Sequence, residues 1–189
     1  MSDRRLWLID AGYLFNARHS VTGGYRFSYL KLRQKLEEQG PLWRAYYLNS
    51  VPLNAANGAD DFHGWLRTAL PEGPQLITQL YPTAEESAHR AWCEGCGERV
   101  SLVCPKQGAR EKKHRLSNEV QKGVDVGLAT LALIHRDSYD TLLLSTGDSD
   151  LLDAVSFLSD HGKRIELVVF QQGVATELQC RANRIYWIN

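Results

Sequence analysis

Two short, uninterrupted apolar runs in this chain lead to an aspartate. Leu6-Trp7-Leu8-Ile9 ends at Asp10, and Leu142-Leu143-Leu144 passes through Ser145-Thr146-Gly147 to Asp148. Runs this short, with no polar alternation, suit strands buried on both faces, and such strands belong to parallel sheets covered by helices. A third block, Gly123-Val124-Asp125, places another acid at the start of an apolar stretch, and Asp150 follows Asp148 by two residues. Open sheets of parallel strands bind ligands beyond the carboxyl ends of the strands. Carboxylates gathered at that edge have the chemistry of a divalent-metal site.

The rest of the pattern supports such a sheet. Strands are expected at 4–10, 42–48, 75–81, 141–146, 164–170 and 185–188, and helices at 28–39, 60–70, 120–135, 151–161 and 176–182. Gly40-Pro41 and Pro71-Glu72-Gly73-Pro74 stop the first two helices, and 16–25 reads as a polar connection. Strands alternating with helices at this spacing predict an α/β fold with a parallel central sheet and helices on both faces. The chain of 189 residues is expected to be a single domain over 1–189, interrupted at 82–122 by a polar, charged insertion between the third strand and its crossover helix.

Each acid also has a reading without chemistry. Asp148 suits a helix N-cap, and Asp150 in a first turn complements the helix dipole. Asp10 is the exception, because no helix start is apparent immediately after it. A buried carboxylate costs several kcal/mol unless it is paired or bound to a cation. Taken together the acids favour metal.

The insertion holds three of the four cysteines. Cys93-Glu94-Gly95-Cys96-Gly97 has the form of a zinc knuckle, two thiolates around a glycine turn; Cys104 offers a third ligand, and His114 or His89 a fourth. A redox pair, or thiols without a role, are the other readings of the same spacing. Cys180 is expected to be a small core residue. Positive charge gathers between Lys106 and Lys122: Lys106, Arg110, Lys112, Lys113, Arg115 and Lys122 stand against Glu111 and Glu119. Phosphate contact is the functional reading of this run, and a solvated loop the bland one. Lys122 is expected one turn before Asp125 on one helix face. Tyr13, Phe15 and Trp92 are candidates to stack on bases, although Phe15 and Trp92 equally suit packing.

Whole-chain charge argues for no partner, since 22 basic residues balance 22 acidic ones. No apolar stretch reaches the length of a membrane span, and the first residues lead directly into a strand, so a cytoplasmic protein with no membrane partner is expected.

Three blocks carry a family resemblance. Asp10-Ala11-Gly12-Tyr13-Leu14-Phe15, Lys122-Gly123-Val124-Asp125-Val126-Gly127-Leu128 and Ser145-Thr146-Gly147-Asp148-Ser149-Asp150 resemble, in order and separation, the signature blocks of the NYN domain, a branch of the PIN-like nuclease superfamily. The resemblance covers nearly all of the chain outside the insertion and is nearest to a LabA-like bacterial subgroup, some of whose members carry a cysteine knuckle before the second block. It implies a three-layer α/β/α fold, Mg²⁺ or Mn²⁺ held by Asp10, Asp125, Asp148 and Asp150, and endoribonuclease activity. Asp10 and Asp148 then become the central ligands. Thr146 or Ser145 orients a water or a carboxylate, while Lys122, with Tyr13, Lys112, Lys113 and Arg115, contacts the substrate. The implied cofactors are Mg²⁺ or Mn²⁺ and structural Zn²⁺; the implied partner is RNA, with DNA left open, and a homodimer is compatible with so small a basic patch. This chain departs from many relatives in having Thr130 in place of a further aspartate, Tyr13 in place of asparagine, and Asp153 where proline or an apolar residue is common. The rival reading is a PIN-like module that binds RNA or protein without cleaving. An aspartyl phosphatase is a weaker third, because Gly12 stands where its second acid is required.

Overall fold

Backbone hydrogen bonding and burial sort the chain much as the apolar runs predict. The structure, a computed structural model, describes residues 3–21, 25–52, 58–106, 108 and 114–188. Strand β1 (Arg5–Asp10) is buried throughout and turns at once into α1 (Ala11–Ala17) and a 3-10 turn at Arg18–Ser20. Helix α2 (Tyr29–Glu37) starts at Ser28, whose hydroxyl accepts from the Lys31 N–H. Then come β2 (Leu42–Val51), α3 (Gly58–Arg67) and β3 (Ile77–Pro82). The insertion supplies β4 (Ala84–Ser87), β5 (Arg90–Cys93), β6 (Glu98–Ser101) and β7 (Ser117–Val120). The chain finishes with α4 (Val124–Ile134), β8 (Thr141–Ser145), α5 (Leu152–Asp160), β9 (Arg164–Val169), α6 (Thr176–Arg181) and β10 (Arg184–Trp187).

Six of these strands form one parallel sheet in the order β10-β9-β8-β1-β2-β3. The chain winds outward from β1 to β3, crosses back to lay β8 against the other side of β1, and winds outward again to β10. The boundary between β1 and β8 is therefore the topological switch point, where adjacent connections leave in opposite directions and open a crevice at the carboxyl ends. Asp10 ends β1, and the Asp148 loop leaves β8 beside it.

Alternate residues of each central strand feed two separate cores, as the pleat requires. Leu6, Leu8, Leu142 and Leu144 pack with Val124, Leu128, Val155 and Leu158 from α4 and α5. Trp7, Ile9 and Leu143 pack on the other face with Leu14, Tyr29, Leu36 and Leu66 from α1, α2 and α3. This is the expected α/β/α sandwich. At the amino ends of the strands, away from Asp10, a buried ion pair joins Arg5 to Glu166 at 2.9 Å, with the Leu36 and Gly40 carbonyls accepting from the same guanidinium. No helix among the described residues is long and apolar enough to cross a membrane.

Four local expectations change. A helix does begin directly after Asp10, where no helix start was expected; it is only seven residues long and contains Gly12, so no apolar period announces it. The helix expected from Val120 begins at Val124, because Val120 pairs with Ala84 across β4 and β7 and Gly123 takes the left-handed conformation at φ 86°. Lys122 accordingly precedes the helix and does not share a helical face with Asp125. Cys180 is exposed, and Leu178 fills the core position of α6; residues two apart on a helix point about 200° apart.

The insertion, expected as a loop without period, is a pair of antiparallel ladders. Its stalk pairs β4 with β7 from Ala84↔Val120 to Ser87↔Ser117, and its outer hairpin pairs β5 with β6 from Arg90↔Ser101 to Cys93↔Glu98.

Candidate active site

The β1 carboxyl end presents Asp10 with its geometry already fixed. Oδ1 accepts from the Tyr13 N–H at 3.0 Å, which makes Asp10 the N-cap of α1, and Oδ2 lies 3.4 Å from the Thr146 hydroxyl, which donates to it. Thr146, fully buried at the end of β8, also accepts from the Asp148 N–H at 3.3 Å. One hydroxyl thus links the two strand ends across the switch point. Asp148 is itself a cap, its Oδ1 accepting from the Asp150 N–H at 2.9 Å, and it opens a 3-10 turn at Ser149–Leu151. Asp148 is the cap its place suggested, and Asp10, after which no helix was expected, is a cap as well; the two caps fix these carboxylates in place.

Asp125 reaches the same edge from the first turn of α4. Its position depends on glycine. A Cβ at Gly127 would overlap the Tyr81 hydroxyl and one at Gly123 would press on the Tyr81 ring, so the two glycines cradle Tyr81, from the end of β3, against the helix start. Gly147 plays the equivalent part for Asp148. A side chain there would overlap the Gly173 carbonyl, and the Gly147 carbonyl accepts from the Ala175 N–H at 3.0 Å.

Two of the acids, Asp10 and Asp125, feel their neighbours. Burial raises the Asp10 pKa first and the Asp125 carboxylate raises it further, against the lowering effect of its hydrogen bonds. Burial raises Asp125 as well, and then Asp148 and Asp150 do. Among the described residues, no three Cys, His, Asp or Glu side chains close on a single point. Asp10 is buried, Asp125 is half-buried, and Asp148 and Asp150 face solvent, so the cluster opens outward.

The remaining candidates divide. Ser145 is fully buried and its hydroxyl accepts from the Trp7 indole N–H at 2.9 Å, which turns it into the core. The Tyr13 hydroxyl donates to the Phe170 carbonyl at 3.1 Å, with the Gln172 carbonyl at 3.3 Å, so its ring buttresses the Gly147 turn. The Lys122 ammonium pairs with Glu86 at 2.7 Å, an exposed pair of about 0–1 kcal/mol that a phosphate can displace. Arg115 donates to the Ser87 hydroxyl at 2.9 Å on the insertion stalk. Arg110, Lys112 and Lys113 lie outside the described residues.

One polar residue beside the acids went unread in the sequence. A Cβ on Gly12 would meet the Gln121 side-chain amide at 3.1 Å and Asp10 Oδ1 at 3.3 Å, so the Gln121 amide and the Asp10 carboxylate flank the same glycine. Its place beside the second block was visible, but nothing in the spacing aimed it at β1.

The expected zinc ligands are not drawn together. Cys93 and Cys96 sit at the tip of the outer hairpin, where backbone N–H groups of Cys96 and Gly95 and the Cys96 thiol lower the Cys93 pKa. Cys104 lies three residues past Ser101, at the opposite end of that hairpin, and His89 and His114 border a hollow there.

The family model for the NYN domain matches residues 7–189. No curated protein matches the sequence. Among solved structures, a protein of unknown function from Vibrio parahaemolyticus, VPA0982, superposes with a TM-score of 0.67 at 14% identity, covering 100% of this chain and 94% of that one. That likeness is one of fold. A Sir2–p53 peptide–NAD⁺ structure aligns with a TM-score of only 0.42 at 10% identity, over 99% of this chain and 88% of that one.

Proposed function

The chain belongs to the NYN family, within the PIN-like nuclease superfamily, and from that premise we propose that it is a divalent-metal-dependent endoribonuclease acting on single-stranded RNA. The observation that supports the reading is that Asp10, Asp125, Asp148 and Asp150 lie along one open edge of the sheet by the β1/β8 switch point, without closing on a single point: Asp125 raises the pKa of Asp10 and is itself raised by Asp148 and Asp150. Like charges gathered at this cost suit a hard cation, and an all-oxygen donor set suits Mg²⁺ or Mn²⁺.

In this reading Asp10 and Asp148 would hold the metal, with Asp125 and Asp150 contributing directly or through water. When bound, a divalent cation would supply Lewis-acid stabilisation of phosphate charge and a lowered pKa for the attacking water. The protein's own part is positioning. Thr146 holds the Asp10 carboxylate and the Asp148 backbone in fixed relation, and the Tyr13 N–H and Asp150 N–H each occupy one carboxylate oxygen. Lys122, released from Glu86, steadies phosphate charge, and the Gln121 amide is placed to donate to a phosphate or water beside Asp10. The basic residues of the insertion, Arg115 among them, extend the phosphate track.

Incubation of the protein with labelled single-stranded RNA in Mn²⁺, in Mg²⁺ and in chelator, with Asp148→Asn in parallel, tests the proposal. Cleavage by wild type only, lost on chelation, is the expected result. RNA bound but left intact in every metal would replace the nuclease with the binding module.

The outer hairpin is the proposed zinc site. Its two strands leave most side chains exposed, Trp92 at 63% among them, and an isolated two-stranded hairpin is marginal in water. The Cys93–Cys96 turn fits half of a tetrahedral thiolate site, its N–H groups favouring the thiolate. Cys104 and His114 stand at the opposite end of the hairpin, so a site that uses them as its remaining ligands requires the ladder to rearrange around the metal.

A further inference from the structure

A cleft of about 630 Å³ opens on the α1–α2–α3 side of the sheet and shares an edge with the acid cluster. Ala11 and Gly12 line it, and Gly12 is the residue squeezed between Asp10 and Gln121. Its walls are aromatic. Tyr29 and Tyr47 meet edge to face with ring centres 5.5 Å apart, and Phe62 lies 6.3 Å from each. Phe15 and Phe62, also lining the cleft, remain 55% and 40% exposed, and apolar exposure grouped in a concave patch marks a binding surface.

Polar groups enter at only a few points. Asn49 lines the cleft with its amide near the Tyr47 hydroxyl, which accepts from it at 3.5 Å, and the Ser28 hydroxyl is a second hydrogen-bonding group. At the mouth, the Arg18 guanidinium lies 4.0 Å from the centre of the Phe15 ring, and no carboxylate among the described residues pairs with it. An aromatic slot with an amide inside, a cation at the rim and a phosphate-handling cluster at its edge is complementary to one chemistry: a planar base joined to a sugar-phosphate backbone. A purely apolar ligand leaves Asn49 and Arg18 without purpose. A duplex has no unstacked base to offer.

We propose that this cleft receives one unpaired nucleobase of the strand whose phosphate lies at the acid cluster, stacked against Phe15 and Phe62 and bonded at its edge by Asn49. The proposal rests on the nuclease reading for the position of the phosphate, and it makes the substrate a single strand, held at one nucleotide beside the bond to be cut. Base preference, where it exists, arises from the Asn49 amide.

The test is a series of labelled single-stranded RNAs, each lacking the base at one position, titrated in Mg²⁺ against the Asp148→Asn protein so that the strand stays whole. Loss of one stacked base lowers affinity about 10-fold on the scale of measured base–aromatic contacts. The expected result is a loss of that size at a single position and less than about 2-fold elsewhere. Phe15→Ala and Phe62→Ala, added to Asp148→Asn, are expected to weaken binding of the intact strand and flatten the series. Both rings are partly exposed, so the variants are expected to stay folded with the parent's circular dichroism. Binding is measured well below their melting temperatures, of which that of Phe62→Ala is expected to fall because Phe62 packs on Tyr29 and Tyr47. A flat series with the parent, or unchanged binding by both folded phenylalanine variants, overturns the proposal. Cleavage of the same strands by wild type is scored separately. Cleavage with a flat series leaves the nuclease and removes the base site; a single sensitive position without cleavage does the reverse.

Discussion

Asp125 sits where its charge is unwelcome. Burial and then its acidic neighbours raise its pKa, so its contribution to stability is complete below the unfolded value of 3.8 and is lost as pH rises through the higher folded value. At neutral pH the carboxylate therefore opposes folding. Asp125→Asn is expected to raise the melting temperature in chelator at pH 7, with the gain shrinking to nothing as pH falls below 4. Adding Mn²⁺ is expected to stabilise wild type more than the variant. A variant that melts below wild type in chelator at pH 7 would show that the charge is not repelled there. Such acids were legible by residue type and by place along the chain, because Asp10 and Asp148 follow apolar runs. The hydrogen bonds that orient them were not, since Thr146 and Tyr13 become their partners only when β1 and β8 lie side by side. Gln121 was invisible for the same reason, and Ser145, read as facing the site, turns inward because successive strand residues alternate faces.

Strands buried on both faces announce themselves as apolar runs, as β1, β8 and β9 do, and the half-exposed edge strands β3 and β10 were read beside them. The insertion strands were not. β4 to β7 have four residues each and none of them is buried, so no core face left an apolar period in their sequence. What the sequence did display was the Cys93–Cys96 spacing, and the hairpin turn follows it. Protein purified without added metal is expected to contain about one zinc per chain by elemental analysis, as a closed four-ligand site holds. Cys93→Ser and Cys96→Ser are expected to lose the zinc and to expose the hairpin to protease, while divalent-dependent stabilisation at the aspartates persists. Zinc-free wild-type protein would remove the metal from this element and leave the hairpin to be covered by another partner.

At the scale of the whole molecule, a doubly wound sheet puts its open edge at the β1/β8 boundary, and the acids stand there. The cross-over from β3 to β8 is the longest journey the chain makes, and it is where the insertion lives. The stalk is zipped from its first pair, Ala84↔Val120, so the chain leaves β3 and returns to α4 at nearly one point. Replacing 85–119 by a two-residue Asn-Gly turn, the favoured tight connection between paired strands, is expected to preserve the circular dichroism spectrum and metal-dependent stabilisation while weakening RNA binding. Loss of folding would show that the stalk supports the sheet. To the sheet, the insertion is a socket rather than a wall. On the nuclease reading proposed above, whatever is plugged in there could be lengthened, exchanged or re-targeted without rebuilding the sheet edge that carries the acids, so the choice of what is cut would change independently of the means of cutting.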